Sequence, residues 1–150
     1  MEKTALLIID AQQEYFAPVG KMVLPDATTF APGSPALEIY PVVAPKPGET
    51  VIKKHMPGSF TGTPLEEHLR KLGIEQVIVS GFMTQMCCDT TAREAAHRGF
   101  KVLLLADATA AMDLKAPDGT VIPHDQVHRT HLASLNGFLA QVTTTDQVVK

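Results

Sequence analysis

The chain has 150 residues, 45% of them hydrophobic and 19% charged, with a formal net charge of −3. That length suits a single core, so residues 1–150 are read as one domain. With no Lys/Arg cluster and no apolar run long enough to span a bilayer, neither nucleic acid nor a membrane is an expected partner. The opening Met1-Glu-Lys-Thr lacks a signal-peptide plan, and adjacent Cys87 and Cys88 are poorly placed to bond each other. A reducing, cytoplasmic setting is therefore expected.

Ala5-Leu-Leu-Ile-Ile9 predicts a buried strand that ends directly on Asp10. Ligands of open α/β sheets bind at the carboxyl ends of strands, so an acid there is a candidate for chemistry, although such residues also cap loops. Residues 17–49 hold seven of the eleven prolines, and no helical period survives that density. A parallel crossover normally carries a helix; here a loop stands in its place. Thr50-Val-Ile-Lys-Lys54 predicts a short strand, followed by His55-Met-Pro-Gly-Ser-Phe60. Thr63 then reads as a helix cap, Pro64 as the first helical position and Glu66 as the return half of a capping box. Leu65, Leu69 and Leu72 form an apolar stripe closed by Gly73, with Glu66, Glu67, Arg70 and Lys71 on a solvated face.

Val77-Ile-Val79 predicts a strand buried on both faces, ended by Gly81. After a short turn, Cys87 is expected to open a helix that stops at Gly99, and Lys101–Ala106 is a second buried strand. This is a βαβ unit with a thiol at its first junction. Unpaired N–H groups at a helix start favour thiolate and lower a cysteine pKa from about 8.5. The competing reading is that both cysteines are small buried hydrophobes. Asp107-Ala-Thr-Ala-Ala111 is expected as a strand-end loop, and Asp118-Gly119 with Pro123 as a turn. A helix is predicted over 124–140, with Val127, His131, Leu135 and Leu139 on one face, and a last strand over 141–145. The spacing of His124, His128 and His131 could put two on one face, but no acid or cysteine partner is implied, so no metal is expected.

Asp10, Lys54 and Cys87 each follow a strand-like run, an acid, a cation and a thiol that could meet at one sheet edge. The motifs around them carry a resemblance. Leu6-Leu-Ile-Ile-Asp-Ala-Gln12 resembles the acid motif of the isochorismatase-like cysteine hydrolases, a superfamily that includes nicotinamidases, N-carbamoylsarcosine amidases and isochorismatases. Val51-Ile-Lys-Lys-His55 with Ser59-Phe60-x-Gly62-Thr63-x-Leu65 resembles its lysine motif. Gly81-Phe-Met-Thr-Gln-Met-Cys87-Cys-Asp-Thr-Thr91-Ala-Arg93 resembles its nucleophile motif. The resemblance implies a catalytic triad of Asp10, Lys54 and Cys87, with Cys88 as a packing residue. It also implies a cis peptide between Phe82 and Met83 that aims the backbone N–H groups of Met83 and Cys87 at an oxyanion.

The implied fold is a three-layer α/β/α Rossmann-like domain with a mainly parallel sheet. Relatives run some thirty residues longer, and the shortfall falls between Gly20–Ala27 and Thr29–Ala36, where they carry the first crossover helix and second strand. Either that element is lost, or a partner supplies its packing, or the sequence belongs to a longer protein. The Asp/His metal site of nicotinamidases belongs to the same missing region, so no metal or other cofactor is implied. The favoured activity is hydrolysis of a C–N bond in a small amide, ureido or carbamoyl compound through an acyl-enzyme on Cys87. Gln12, Tyr15, Phe16, Phe60 and Phe82 are candidate substrate contacts, with core packing the competing reading for each aromatic. The alternatives are vinyl-ether hydrolysis of the isochorismatase type, and a non-catalytic binding or assembly subunit. A homodimer or homotetramer is expected.

Overall fold

The aliphatic and β-branched runs pair with one another, because a strand buried on both faces satisfies its backbone only through neighbouring strands. The computed structural model describes residues 3–15 and 35–149. Six strands form among them: β1 (Thr4–Ile9), β2 (Gln76–Phe82), β3 (Lys101–Ala110), β4 (Leu114–Lys115), β5 (Val121–Ile122) and β6 (Gln141–Thr143). Four make a parallel sheet in the order β1-β2-β3-β6, while β4 and β5 form an antiparallel ribbon. The helices are α1 (Leu65–Lys71), α2 (Asp89–His97), α3 (His124–Leu135) and α4 (Thr145–Val148). The fold class is α/β, as expected.

The chain forms two compact units, one of residues 1–9 and 52–150 and the other of residues 10–51. In the first, Val77, Val79, Val102 and Leu104 meet Leu65 and Leu69 of α1, Ala92 and Ala95 of α2, and Leu135 of α3 in one core. Strand side chains alternate between faces, and on the alternate positions of β1 Leu6 and Ile8 stay 56% and 50% exposed. Among the described residues, no helix layer covers that end of the sheet.

The βαβ unit is legible down to its punctuation. At the end of α2, Phe100 N–H donates to Ala95 C=O and Gly99 N–H to Ala96 C=O, the two bonds of a Schellman stop. The same pair closes α1, from Ile74 to Leu69 and from Gly73 to Arg70. Gly81 is obligatory at the end of β2. Its φ is +111°, and a Cβ there would lie 2.0 Å from the Ile9 carbonyl oxygen.

Several boundaries differ from expectation. Thr50–Lys54 is not a strand: no described residue pairs with it. The expected capping box forms only in half: Thr63 Oγ1 accepts from Leu65 N–H at 3.3 Å, but Glu66 makes no return bond to Thr63. Glu66 instead pairs with Arg98 at 3.0 Å and Arg70 at 3.4 Å. β3 runs on through Asp107 to Ala110, because its register against β2 jumps from Val79↔Leu104 to Gly81↔Thr109. Thr109 Oγ1 donates to Leu105 C=O across this irregular stretch at 3.0 Å. Asp107, expected in a strand-end loop, accepts from the N–H and hydroxyl of Thr145 at the start of α4. α3 ends at Leu135 rather than 140, because Asn136 turns extended and Gly137 adopts φ +88°.

In the second unit, residues 11–15 and 37–40 hold each other. Gln13 N–H donates to Glu38 C=O at 2.9 Å and Tyr40 N–H to Ala11 C=O at 2.8 Å. Short 3-10 turns span Gln13–Tyr15, Pro35–Leu37 and Pro41–Val43. Residues 17–34 of the proline-dense stretch, with all of the expected junction except Pro35 and Ala36, lie outside the described residues.

Candidate active site

Cys87 does not open an α-helix. It is the fourth residue of a π-helical turn, Thr84–Cys88, that leads from β2 into α2. The Phe82–Met83 peptide bond before this turn is cis. Both the Met86 and the Cys88 N–H donate to the Met83 carbonyl at 3.1 Å, so the turn winds tightly about Met83. The two thiols part company here. Cys88 is fully buried in the core, whereas Cys87 is half-buried at its margin. One cysteine packs and its neighbour is available to react.

Lys54 reaches that thiol. Its ammonium donates to Cys87 Sγ at 3.4 Å and to the Met56 carbonyl at 3.2 Å. An adjacent cation favours thiolate over thiol. The loop that carries Lys54 is tied to α2, the helix that follows the thiol. Ser59 N–H donates to Thr91 Oγ1 at 3.1 Å, and Thr91 Oγ1 donates to Ser59 Oγ at 2.9 Å. Phe60 N–H donates to Glu94 Oε2 at 3.0 Å, and the Thr61 hydroxyl donates to Glu94 Oε1. Gly58 permits this approach, since a Cβ there would lie 2.3 Å from Glu94 Oε2. In the sequence Thr91 stands out only as a member of the nucleophile motif and Glu94 not at all; the fold shows that both hold the lysine loop.

The other expected residues fall as follows. Asp10 directly follows β1 and belongs to the second unit. With φ +46° it is the one non-glycine with positive φ among the described residues. Such backbones concentrate at functional sites. The Gln12 amide donates to the Leu37 carbonyl at 3.0 Å, so it orders the loop after Asp10. Tyr15 is half-buried in the first 3-10 turn, and Phe82 half-buried at the end of β2. Phe60 is accounted for by packing. It is 5% exposed, its ring centroid 5.9 Å from that of Phe100, with the Arg98 guanidinium 4.9 Å above it. Phe16 lies outside the described residues.

The three histidines of α3 point to three different partners. His124 pairs with Asp113 at 2.9 Å, His128 Nδ1 meets Thr84 Oγ1 at 2.8 Å, and His131 Nδ1 meets Asp89 Oδ2 at 3.0 Å. Among the described residues no group of three or more His, Cys, Asp or Glu side chains could hold a metal. Asp89 also takes Arg93 at 2.6 Å; this bond first, and the Asp89 charge after it, raise the Arg93 pKa above its ordinary value against a lowering by burial.

Comparison with known proteins matches residues 21–147 to the isochorismatase domain, a span that contains Lys54 and Cys87 and begins after Asp10. The chain is 34% identical over 180 residues to the uncharacterized isochorismatase family protein YddQ of Bacillus subtilis, covering 98% of this chain and 99% of the relative. Since 98% of 150 residues is about 147, roughly 33 of those 180 aligned positions have no counterpart here. It is 30% identical over 121 residues to the ureidoacrylate amidohydrolase RutB of Methylobacterium radiotolerans, covering 79% of this chain but 43% of that protein. Among solved structures, an isochorismatase hydrolase from Oleispira antarctica superposes with a TM-score of 0.89 at 29% identity, covering 98% of this chain and 96% of its own. The parallel α/β sheet, the thiol turn and these matches together make the chain a member of the isochorismatase-like hydrolase family.

Proposed function

We propose that this family member is a cysteine-dependent hydrolase that cleaves the C–N bond of a small amide, ureido or carbamoyl compound. The observation that carries the reading is the hydrogen bond from the Lys54 ammonium to Cys87 Sγ at 3.4 Å. The similarity to a ureidoacrylate amidohydrolase supports the substrate class.

In this reading the Cys87 proton passes to the Asp10 carboxylate, and Sγ attacks the substrate carbonyl carbon. The C=O electron pair moves to oxygen, where the backbone N–H groups of Met83 and Cys87 receive it. Collapse of this intermediate breaks the C–N bond. The amine leaves with the proton held by Asp10, and a thioester on Cys87 remains. Asp10 then takes a proton from water and the hydroxide adds to the thioester; the C–S bond breaks to free the acid, and the proton on Asp10 returns to Cys87 Sγ. Lys54 offsets negative charge on sulfur in both halves. Gln12, Tyr15, Phe16 and Phe82 are the proposed neighbours of the substrate.

The test is brief alkylation with iodoacetamide at pH 6.5, followed by peptide mapping. An activated Cys87 labels well ahead of free glutathione at the same pH and loses that lead in Lys54→Ala and Asp10→Asn, while the fully buried Cys88 stays unlabelled. Cys87 labelling no faster than free glutathione in the unmodified protein would remove the nucleophile. If a screened amide is hydrolysed, Cys87→Ala abolishes turnover. Vinyl-ether cleavage that survives Cys87→Ala would instead favour isochorismatase chemistry.

A further inference from the structure

The π-helical turn that carries Cys87 is gripped at both ends by two histidines of α3. Thr84 opens the turn and is fully buried; its hydroxyl lies 2.8 Å from His128 Nδ1. The other ring nitrogen, His128 Nε2, lies 3.1 Å from the Ala106 carbonyl in β3. A carbonyl only accepts, so Nε2 carries the proton. In the neutral ring Nδ1 then accepts, and the Thr84 hydroxyl must donate. The result is a directional chain from the Thr84 hydroxyl through the imidazole to β3.

One turn along α3, His131 Nδ1 donates to Asp89 Oδ2 at 3.0 Å, and Asp89 is the first residue after the turn. Residues three apart share a helix face, which is why His128 and His131 hold Thr84 and Asp89 with Cys87 between them. Arg93 adds two more bonds to Asp89, from Nε at 2.6 Å and Nη2 at 3.3 Å, and the same Nη2 reaches Ser134 Oγ of α3 at 3.1 Å. Such π-turns are rare and recur at functional sites.

We infer that His128, through Thr84, is a positioning residue that keeps Cys87 Sγ against the Lys54 ammonium, with His131 and Asp89 securing the far end of the turn. The inference rests on the reading of Cys87 as the nucleophile. It assigns these histidines to the architecture of the thiol rather than to a metal.

The experiment measures the iodoacetamide alkylation rate of Cys87 in this chain at pH 6.5, relative to free glutathione. His128→Ala and Thr84→Val should each lower that rate by about tenfold or more, in line with the sensitivity of reacting groups to misplacement. His128→Asn retains an acceptor near Nδ1, and Thr84→Ser retains the hydroxyl, so both should recover most of the rate. In a Lys54→Ala background His128→Ala should add little, because the two changes remove the same contact. Should His128→Ala not fold, Thr84→Val and His128→Asn carry the comparison. Variants that lose thermal stability while Cys87 keeps its full rate would make the bridge purely structural and overturn the inference. A Lys54→Ala effect with no His128 or Thr84 effect overturns it alone. Unmodified Cys87 labelling no faster than free glutathione removes the nucleophile reading, and this inference with it.

Discussion

Glu94→Ala tests whether the lysine loop is held by α2. The carboxylate accepts from Phe60 N–H at 3.0 Å and from the Thr61 hydroxyl. Hydrogen bonds to a charged group contribute about 1.5–3 kcal/mol each, and an orphaned, partly buried N–H costs a similar amount. Thr61 is exposed and can turn to water, so its bond counts for little. The expected loss is therefore about 2–3 kcal/mol, dominated by Phe60. For a chain of this size each kcal/mol shifts Tm by roughly 2–4 °C, which predicts a fall of about 4–12 °C. Glu94→Gln keeps an acceptor without the charge and should lose about half as much. Calorimetry reads the stability, and alkylation of Cys87 at pH 6.5 reads the site, which should slow as Lys54 loosens. A Glu94→Ala protein within about 0.5 kcal/mol of the parent, with unchanged labelling, would refute the proposition that α2 holds the loop.

Three further outcomes are expected. Gly81→Ala combines a positive φ with a Cβ 2.0 Å from the Ile9 carbonyl, and neither strand can yield without breaking the sheet; it should cost more than about 4 kcal/mol and leave little soluble protein on expression. Leu104→Ala empties a fully buried site in the central strand, and urea unfolding should show a loss of about 2–5 kcal/mol with unchanged m-value. Asp107 is held below the ordinary carboxylate pKa, first by the Thr145 hydroxyl, which outweighs the opposing desolvation, and then by the Thr145 N–H. A lowered folded-state value means stability present above the unfolded pKa and lost as pH falls through the folded one. The parent's advantage over Asp107→Asn should therefore hold at neutral pH and vanish in the acid range below pH ~4. An advantage independent of pH would show that Asp107 acts through shape rather than charge.

Legibility varied along the chain for physical reasons. The β-branched runs of β2 and β3 declare themselves because a strand buried on both faces has no polar alternation to confuse with anything else. Gly73 and Gly99 mark helix ends because their backbone bonds are local, within six residues. Thr50–Lys54 has strand composition but no described ladder partner, and a strand is a property of two segments rather than one. Asp107 looked like the end of β3 because a register jump against β2 has no signature in either strand read alone. Leu139 continued the apolar period of α3, yet Asn136-Gly137 stops the helix, and the turn chemistry overrides the periodicity.

The candidate site divides in the same way. Cys87, Lys54 and their motif spacing are properties of the chain order, and the sequence by itself determined the family, the parallel α/β fold and which thiol to examine. It also determined the two helix stops, because each depends on a few neighbouring residues. Only the tertiary structure decided that Lys54 reaches Cys87, that Glu94 and Thr91 hold its loop, and that His128 and His131 meet Thr84 and Asp89 at the two ends of the thiol turn. Those contacts join residues some thirty to forty-four positions apart. Their energies depend on distance and orientation in space, and no local pattern of side chains encodes either.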